Sequence, residues 1–228
     1  MTKRVIFFLS MISLFSACTS SGPATSFYAL YASEENADLE IVSDVESNRT
    51  FTTVTATATA TATTTTTATT TASVVGEHSL GLGPVELVAY LDQTAIVSRI
   101  SDNQLLVSGF HAWAEPLDEG IARVMSAELS RNGLFDFVSA FPWDTRARPN
   151  MQMQLKITQL DGVRGDVIHL QAQYQLLRLS DQMILARGNI GLDQSSTSSQ
   201  YSDYVSAINS LVLALSKKIE TELNGVEL

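Results

Sequence analysis

Met151, Met153, Leu155 and Ile157 are apolar, and the residues beside them, Gln152, Gln154, Lys156 and Thr158, are polar. A period of two predicts a strand with one buried face. The alternation returns in Ile168, Leu170, Ala172, Tyr174 and Leu176, set against His169 and a series of glutamines, and Gly162 to Asp166 supply a hairpin between the two runs. "MILARGNIGL" predicts a further strand, and the serine-rich "DQSSTSSQ" a loop. Downstream the period changes to three and four. Tyr204, Ile208, Leu211, Val212, Leu215 and Ile219 form one stripe, which predicts a helix from about Tyr201 to Leu223 that needs a sheet to lie on. An earlier helix is expected to open at Pro116, where a missing amide proton costs nothing. Asp118 and Glu119 suit its positive end, Leu117, Ile121, Val124 and Met125 share a face, and Gly133 stops it.

Between the chain start and that helix, strands are predicted in Phe27 to Tyr31, in "LGPVELVAYL", in "TAIVSRI" and in "NQLLVSGF", with Tyr90 to Gln93 joining the second and third. The sum is one α/β (α+β) domain in which a mixed β-sheet is packed by two main helices. Residues 33–75 interrupt it with the acidic "ASEENADLEIVSDVES" and then "TFTTVTATATATATTTTTATTTAS", almost entirely Thr and Ala. Thr/Ala alternation imitates a strand but leaves little to bury, and the β-branched side chains disfavour a helix. A disordered or loosely extended insertion is therefore expected, because small side chains cannot offset the entropy of ordering. The divisions are a signal at 1–17, a leader at 18–25, the first strand at 26–32, the insertion at 33–75 and the remainder of the domain at 76–228.

The chain start has a different logic. Lys3 and Arg4 form a basic head, and Val5 to Phe15 an apolar run of about eleven residues, short of the ~20 a membrane-spanning helix needs. That is the layout of a secretory signal. Phe15-Ser16-Ala17 precede Cys18, the chain's one cysteine. This resembles the bacterial lipoprotein signal, in which a peptidase cuts before the cysteine and lipid is attached to its sulfur; the other reading is an ordinary signal with a chance cysteine. The resemblance makes Cys18 the lipidation site. Thr19 is not Asp, so the inner-membrane retention signal of such lipoproteins is absent, and the implied location is the periplasmic face of the outer membrane. If Phe27 begins the first strand, the eight or so residues after Cys18, at ~3.5 Å each, hold the domain within roughly 30 Å of the bilayer.

Charge narrows the partners. The formal charge of -10 becomes two units more negative once Lys3 and Arg4 are removed. Such a surface repels phosphate backbones, so nucleic acid is not expected as a partner. With its one cysteine acylated the mature chain forms no disulfide, and the fold relies on its core.

Candidate chemistry is sparse. His111 with Ser108 and Asp118 offers the residue types of a nucleophilic triad, but no Gly-x-Ser-x-Gly turn accompanies them. His78, His111 and His169 are scattered without ligand spacing. Gly81-Leu82-Gly83 precedes a strand rather than a helix and lacks the helix start that would hold phosphate. No catalytic activity, cofactor or metal is expected. In Trp113-Ala114-Glu115-Pro116, one reading has Trp113 filling the core with Glu115 at the helix start, and the other makes Trp113, Glu115 and Pro116 a partner-docking surface.

Several motifs together carry a family resemblance: Gly83-Pro84-Val85, Tyr90-Leu91-Asp92, Ile96-Val97-Ser98-Arg99, and Trp113-Ala114-Glu115-Pro116-Leu117 before a helix. Phe27 to Leu30, Pro142-Trp143 and the C-terminal amphipathic helix extend it. The pattern resembles the auxiliary lipoproteins of ABC-type transport systems, the PqiC (or YmbA) family, over nearly all the mature chain except residues 33–75. The resemblance implies a fold similar to the amino-terminal domain of TolB. It further implies an outer-membrane component, anchored through Cys18, of a lipid-transport system that includes an MCE-domain protein and an inner-membrane transporter; a homo-oligomer is also open. The alternative is a TolB-like envelope assembly or regulatory scaffold without a role in lipid transport.

Overall fold

The computed structural model describes residues 24–33, 78–144, 146 and 148–226. Cys18 and the Thr/Ala tract lie outside the described residues. Among the described residues, eight strands and two helices follow one another as β1 (Ser26–Tyr28), β2 (Ser79–Leu87), β3 (Ala95–Ser101), β4 (Gln104–Trp113), α1 (Leu117–Arg131), β5 (Phe137–Ala140), β6 (Met151–Gly162), β7 (Val167–Arg178), β8 (Ile184–Ser195) and α2 (Tyr201–Leu223). They form a single mixed α+β domain.

The expected mixed sheet is present as the larger of two. Its order is β5-β2-β6-β7-β8, with β2 parallel to β5 and β6 and the β6–β7–β8 meander antiparallel. The strands placed around "TAIVSRI" and "NQLLVSGF" instead make a second, three-stranded sheet of order β1-β4-β3. Alternation marks strands but not their sheet, so the division was invisible in the sequence.

Both helical stripes face the core. Leu117, Ile121, Val124 and Met125 of α1 are buried, as are Tyr204, Ile208, Leu211, Val212, Leu215 and Ile219 of α2. Pro116 is the N-cap of α1, and Gly133, with φ +72°, follows its C-cap Asn132. The inward positions Met151, Met153, Leu155 and Ile157 of β6 meet Arg178, Leu176, Tyr174 and Ala172 of β7 in register.

Three boundaries differ from expectation. β1 ends at Tyr28 rather than continuing to residue 32. Beyond Tyr28, whose carbonyl accepts the Ala114 amide at 2.7 Å, β4 has ended and the chain changes partners. Leu30 enters the core, its carbonyl accepts from Arg123 at 2.8 Å, and the Tyr31 amide donates to Asn209 Oδ1 of α2 at 2.8 Å. β2 begins at Ser79, so Gly81-Leu82-Gly83 lies within the strand. A Cβ on Gly81 would stand 2.7 Å from both the Trp143 ring and Pro149, so a bare backbone lets Trp143 lie against β2. Finally, the short edge strand β5 fell in a stretch read as having no element.

Gly162 closes β6 opposite Ile168, where a Cβ would sit 2.2 Å from the Val167 carbonyl oxygen and 2.5 Å from the Ile168 Cα. The obstacle is backbone and cannot swing aside. Gly162→Ala is expected to lower unfolding free energy by about 1–3 kcal/mol or more, as forced overpacking does. Urea unfolding of wild type and variant measures it.

Candidate functional site

The Trp113-to-Pro116 segment joins β4 to α1. Trp113 is the last residue of β4, lies beside Tyr28 in register, and is 6% exposed, so its side chain belongs to the core. Glu115 is paired with Arg123, in the second turn of α1, and Arg123 also holds the Leu30 carbonyl. Glu115 thereby ties the helix start to the chain leaving β1. Glu115 and Pro116 remain at the surface.

His111 and Ser108 are close, but not as a nucleophile and its base. Ser108 Oγ accepts the backbone amides of Phe110 and His111, while His111 Nδ1 pairs with the Tyr28 hydroxyl at 3.0 Å. The His111 ring stacks on Tyr201 at 3.9 Å, and Arg164 lies over the other ring at 4.3 Å from its centroid. His169 Nδ1 pairs with Asp193 on the neighbouring strand at 2.6 Å.

A connected polar cluster surrounds Asp161, a residue the sequence did not single out. β6 carries a register shift between Ile157 and Gln159. An extra residue there returns Leu160 to the core face and turns Asp161 onto the face shared with His169, its partner in β7. Just past the end of β6, β3 comes alongside the chain through a parallel Arg99–Val163 bridge, and Asp161 is fully buried. Arg99 of β3 binds it with a two-pronged fork, Nε to Oδ1 and Nη2 to Oδ2, both 2.9 Å. Tyr90 donates to Oδ2 at 2.7 Å and Gln159 Nε2 to Oδ1 at 3.1 Å.

Burial alone would raise the Asp161 pKa; the hydrogen bonds from Arg99, Tyr90 and Gln159 outweigh it and hold the carboxyl below its ordinary value. The same cluster pushes the Tyr90 hydroxyl up, through burial first and then its bond to Asp161. Nearby, the buried Tyr204 hydroxyl of α2 donates to the Val97 carbonyl of β3 at 3.0 Å. Tyr90 and Arg99, which the sequence offered only as parts of a pattern, are thus the residues that latch the small sheet onto the large one. Tyr204→Phe is expected to cost about 1 kcal/mol by removing one such bond, measurable as a lowered urea midpoint.

The uncovered face of the large sheet is polar. Glu86, Gln154, Lys156, Gln173, Gln175, Arg187 and Asn189 help line an open groove of about 480 Å³ there, with the Lys156–Glu86 pair at 3.7 Å spanning adjacent strands. Ligand pockets for greasy molecules are mostly apolar, and this groove is not.

Residues 41–220 match the family model described as the ABC-type transport auxiliary lipoprotein component. The chain belongs to this family. As an ABC-type transport auxiliary lipoprotein it fits the sequence resemblance, and the matched span includes Tyr90, Arg99 and Asp161. Among solved structures, one titled as an uncharacterized protein is similar at 19% identity with TM-score 0.56, over 64% of this chain and 92% of its own. Protein XCC0632 from Xanthomonas campestris is similar at 16% identity with TM-score 0.54, over 62% of this chain and 81% of its own. These two likenesses speak to the fold. No curated protein matches the sequence. No helix among the described residues is long and apolar enough to cross a membrane.

Proposed function

We propose that this auxiliary lipoprotein is the outer-membrane component of an MCE/ABC-type intermembrane lipid-transport system. Acyl chains on Cys18 hold it on the periplasmic face, and a surface of the folded domain docks the MCE-domain protein. The observation that carries this reading is the family match over residues 41–220, a family described by its association with ABC-type transport. The polar lining of the groove on the large sheet supports a docking role, since a lipid carrier must offer its cargo an apolar path. The work is non-covalent and non-enzymatic: anchoring at one end, protein recognition at the other.

The test is affinity isolation of the full chain from solubilised membranes, followed by identification of what accompanies it. An MCE-domain protein with inner-membrane transporter subunits is the expected result. Recovery of cell-wall synthases without any MCE-domain protein would favour an envelope scaffold and overturn the transport reading.

A further inference from the structure

Among the described residues, half of the exposed large apolar side chains lie on the small sheet or just after β1: Phe27, Tyr31, Ile100, Val107 and Phe110. Register explains how the first strand contributes. Ser26, Phe27 and Tyr28 lie beside His111, Ala112 and Trp113. Because neighbouring side chains alternate across a sheet, Trp113, which is buried, marks the inner face. Phe27, beside Ala112, therefore lies on the opposite, outer face, and Phe110 stands exposed in the adjoining part of β4, where the strand carries a register shift between Val107 and Ala112. Phe27 is 67% and Phe110 50% exposed, and Tyr31 just beyond β1 is 68% exposed.

The same strand is where the tether enters the fold. Ser26 follows Cys18 by eight residues, a contour of at most roughly 30 Å at ~3.5 Å per residue. A chain anchored at Cys18 cannot carry β1 farther than that from the bilayer. Phe and Tyr side chains are suited to the boundary between headgroups and acyl chains. Charge decides how such a surface would bind. The chain is acidic overall, with a formal charge of -10, so attraction to anionic headgroups is not the driving force.

We infer that the exposed part of the small sheet, through Phe27 and Phe110 with Tyr31 at its margin, rests in the interface of the bilayer that holds Cys18. The inference rests on the anchoring part of the proposed function. Insertion of these side chains turns a loose tether into a fixed pose, with β1 and β4 down and the polar face of the large sheet left free for a protein partner. Binding of this kind follows apolar contact and is insensitive to the anionic lipid fraction.

The experiment uses the full mature chain purified from membranes and reconstituted into phosphatidylcholine vesicles whose acyl chains are brominated. Phe27→Trp, Phe110→Trp and, as a control on β5, Phe137→Trp are compared with the parent, whose Trp113 and Trp143 set the background. Mass spectrometry of each sample reports the state of Cys18. The expected result is strong loss of the added emission at positions 27 and 110 and little at 137, unchanged when phosphatidylglycerol is included. Acylated protein whose added tryptophans at 27 and 110 are unquenched overturns this inference alone, as does equal quenching at all three positions. A concentration-dependent blue shift at position 27 without quenching, with a doubled mass in sedimentation, assigns the face to a second copy and also overturns it. An unmodified Cys18 overturns the anchoring reading and this inference with it.

Discussion

Arg99→Met lowers the free energy of unfolding by about 3–5 kcal/mol, the cost of leaving a buried charge without its partner. Asp161 is fully buried, and Arg99 supplies its only cationic contacts among the described residues. Methionine keeps much of the apolar stem but removes the fork, so the loss reports the ion pair rather than a cavity. Urea unfolding by tryptophan fluorescence measures it. Hydrogen exchange adds location: amides of β3 and β4 should lose protection first, because the cluster fastens the small sheet to the large one. Arg99→Lys should recover only part of the loss, since a point charge cannot make both parallel bonds. Arg99→Met combined with Asp161→Leu should lose less than Arg99→Met alone, because the charge left behind is then gone. An Arg99→Met protein as stable as wild type would show that the pair contributes nothing.

The same pair sets an acid limit. The Asp161 carboxyl is held below its ordinary pKa in the folded state, so its contribution is present above the unfolded-state value, about 3.9. It is lost as pH falls through the folded value. Wild-type stability should therefore decline below about pH 4, and Arg99→Met should flatten that part of the profile. Unfolding midpoints measured from neutral pH down to the acid limit test the sign.

Cys18→Ser is expected to move the protein almost completely from the membrane to the soluble fraction. One acyl chain gives only marginal attachment, whereas each additional buried methylene contributes about 0.8 kcal/mol, so two or three chains are effectively permanent. If Cys18 carries them as proposed, removing the sulfur removes them all. Fractionation of cells carrying either form, with mass spectrometry of the amino terminus, reads the result. Continued membrane association at high salt of Cys18→Ser protein from which residues 1–17 have been removed would show that lipid on this cysteine is not the anchor.

How far the sequence could be read depended on the kind of order involved. β6, β7 and α2 were legible because each repeats one periodicity over many residues with one face buried. β1 was legible as a strand but not in length, since its end depends on where β4 stops and on Arg123 and Asn209 taking over its hydrogen bonds. β5 is too short for its alternation to stand out. Trp113 carried two readings that only burial separates, and burial depends on what covers β4. Asp161 was not singled out in the sequence; one extra residue in β6 turned it toward Arg99 and Tyr90 and made it the centre of a connected polar cluster.

By itself the sequence determined the helices, most of the strands, and the family resemblance carried by Tyr90, Arg99 and the Trp113–Leu117 segment, because these are properties of short stretches of chain. The tertiary structure alone decided that the strands divide into two sheets, that Tyr90 and Arg99 meet at Asp161, and that Phe27 and Phe110 both stand exposed on adjoining strands of the small sheet. Each of these joins residues far apart in the chain, and their contact is set by strand register and by the bulge in β6, which no local pattern encodes.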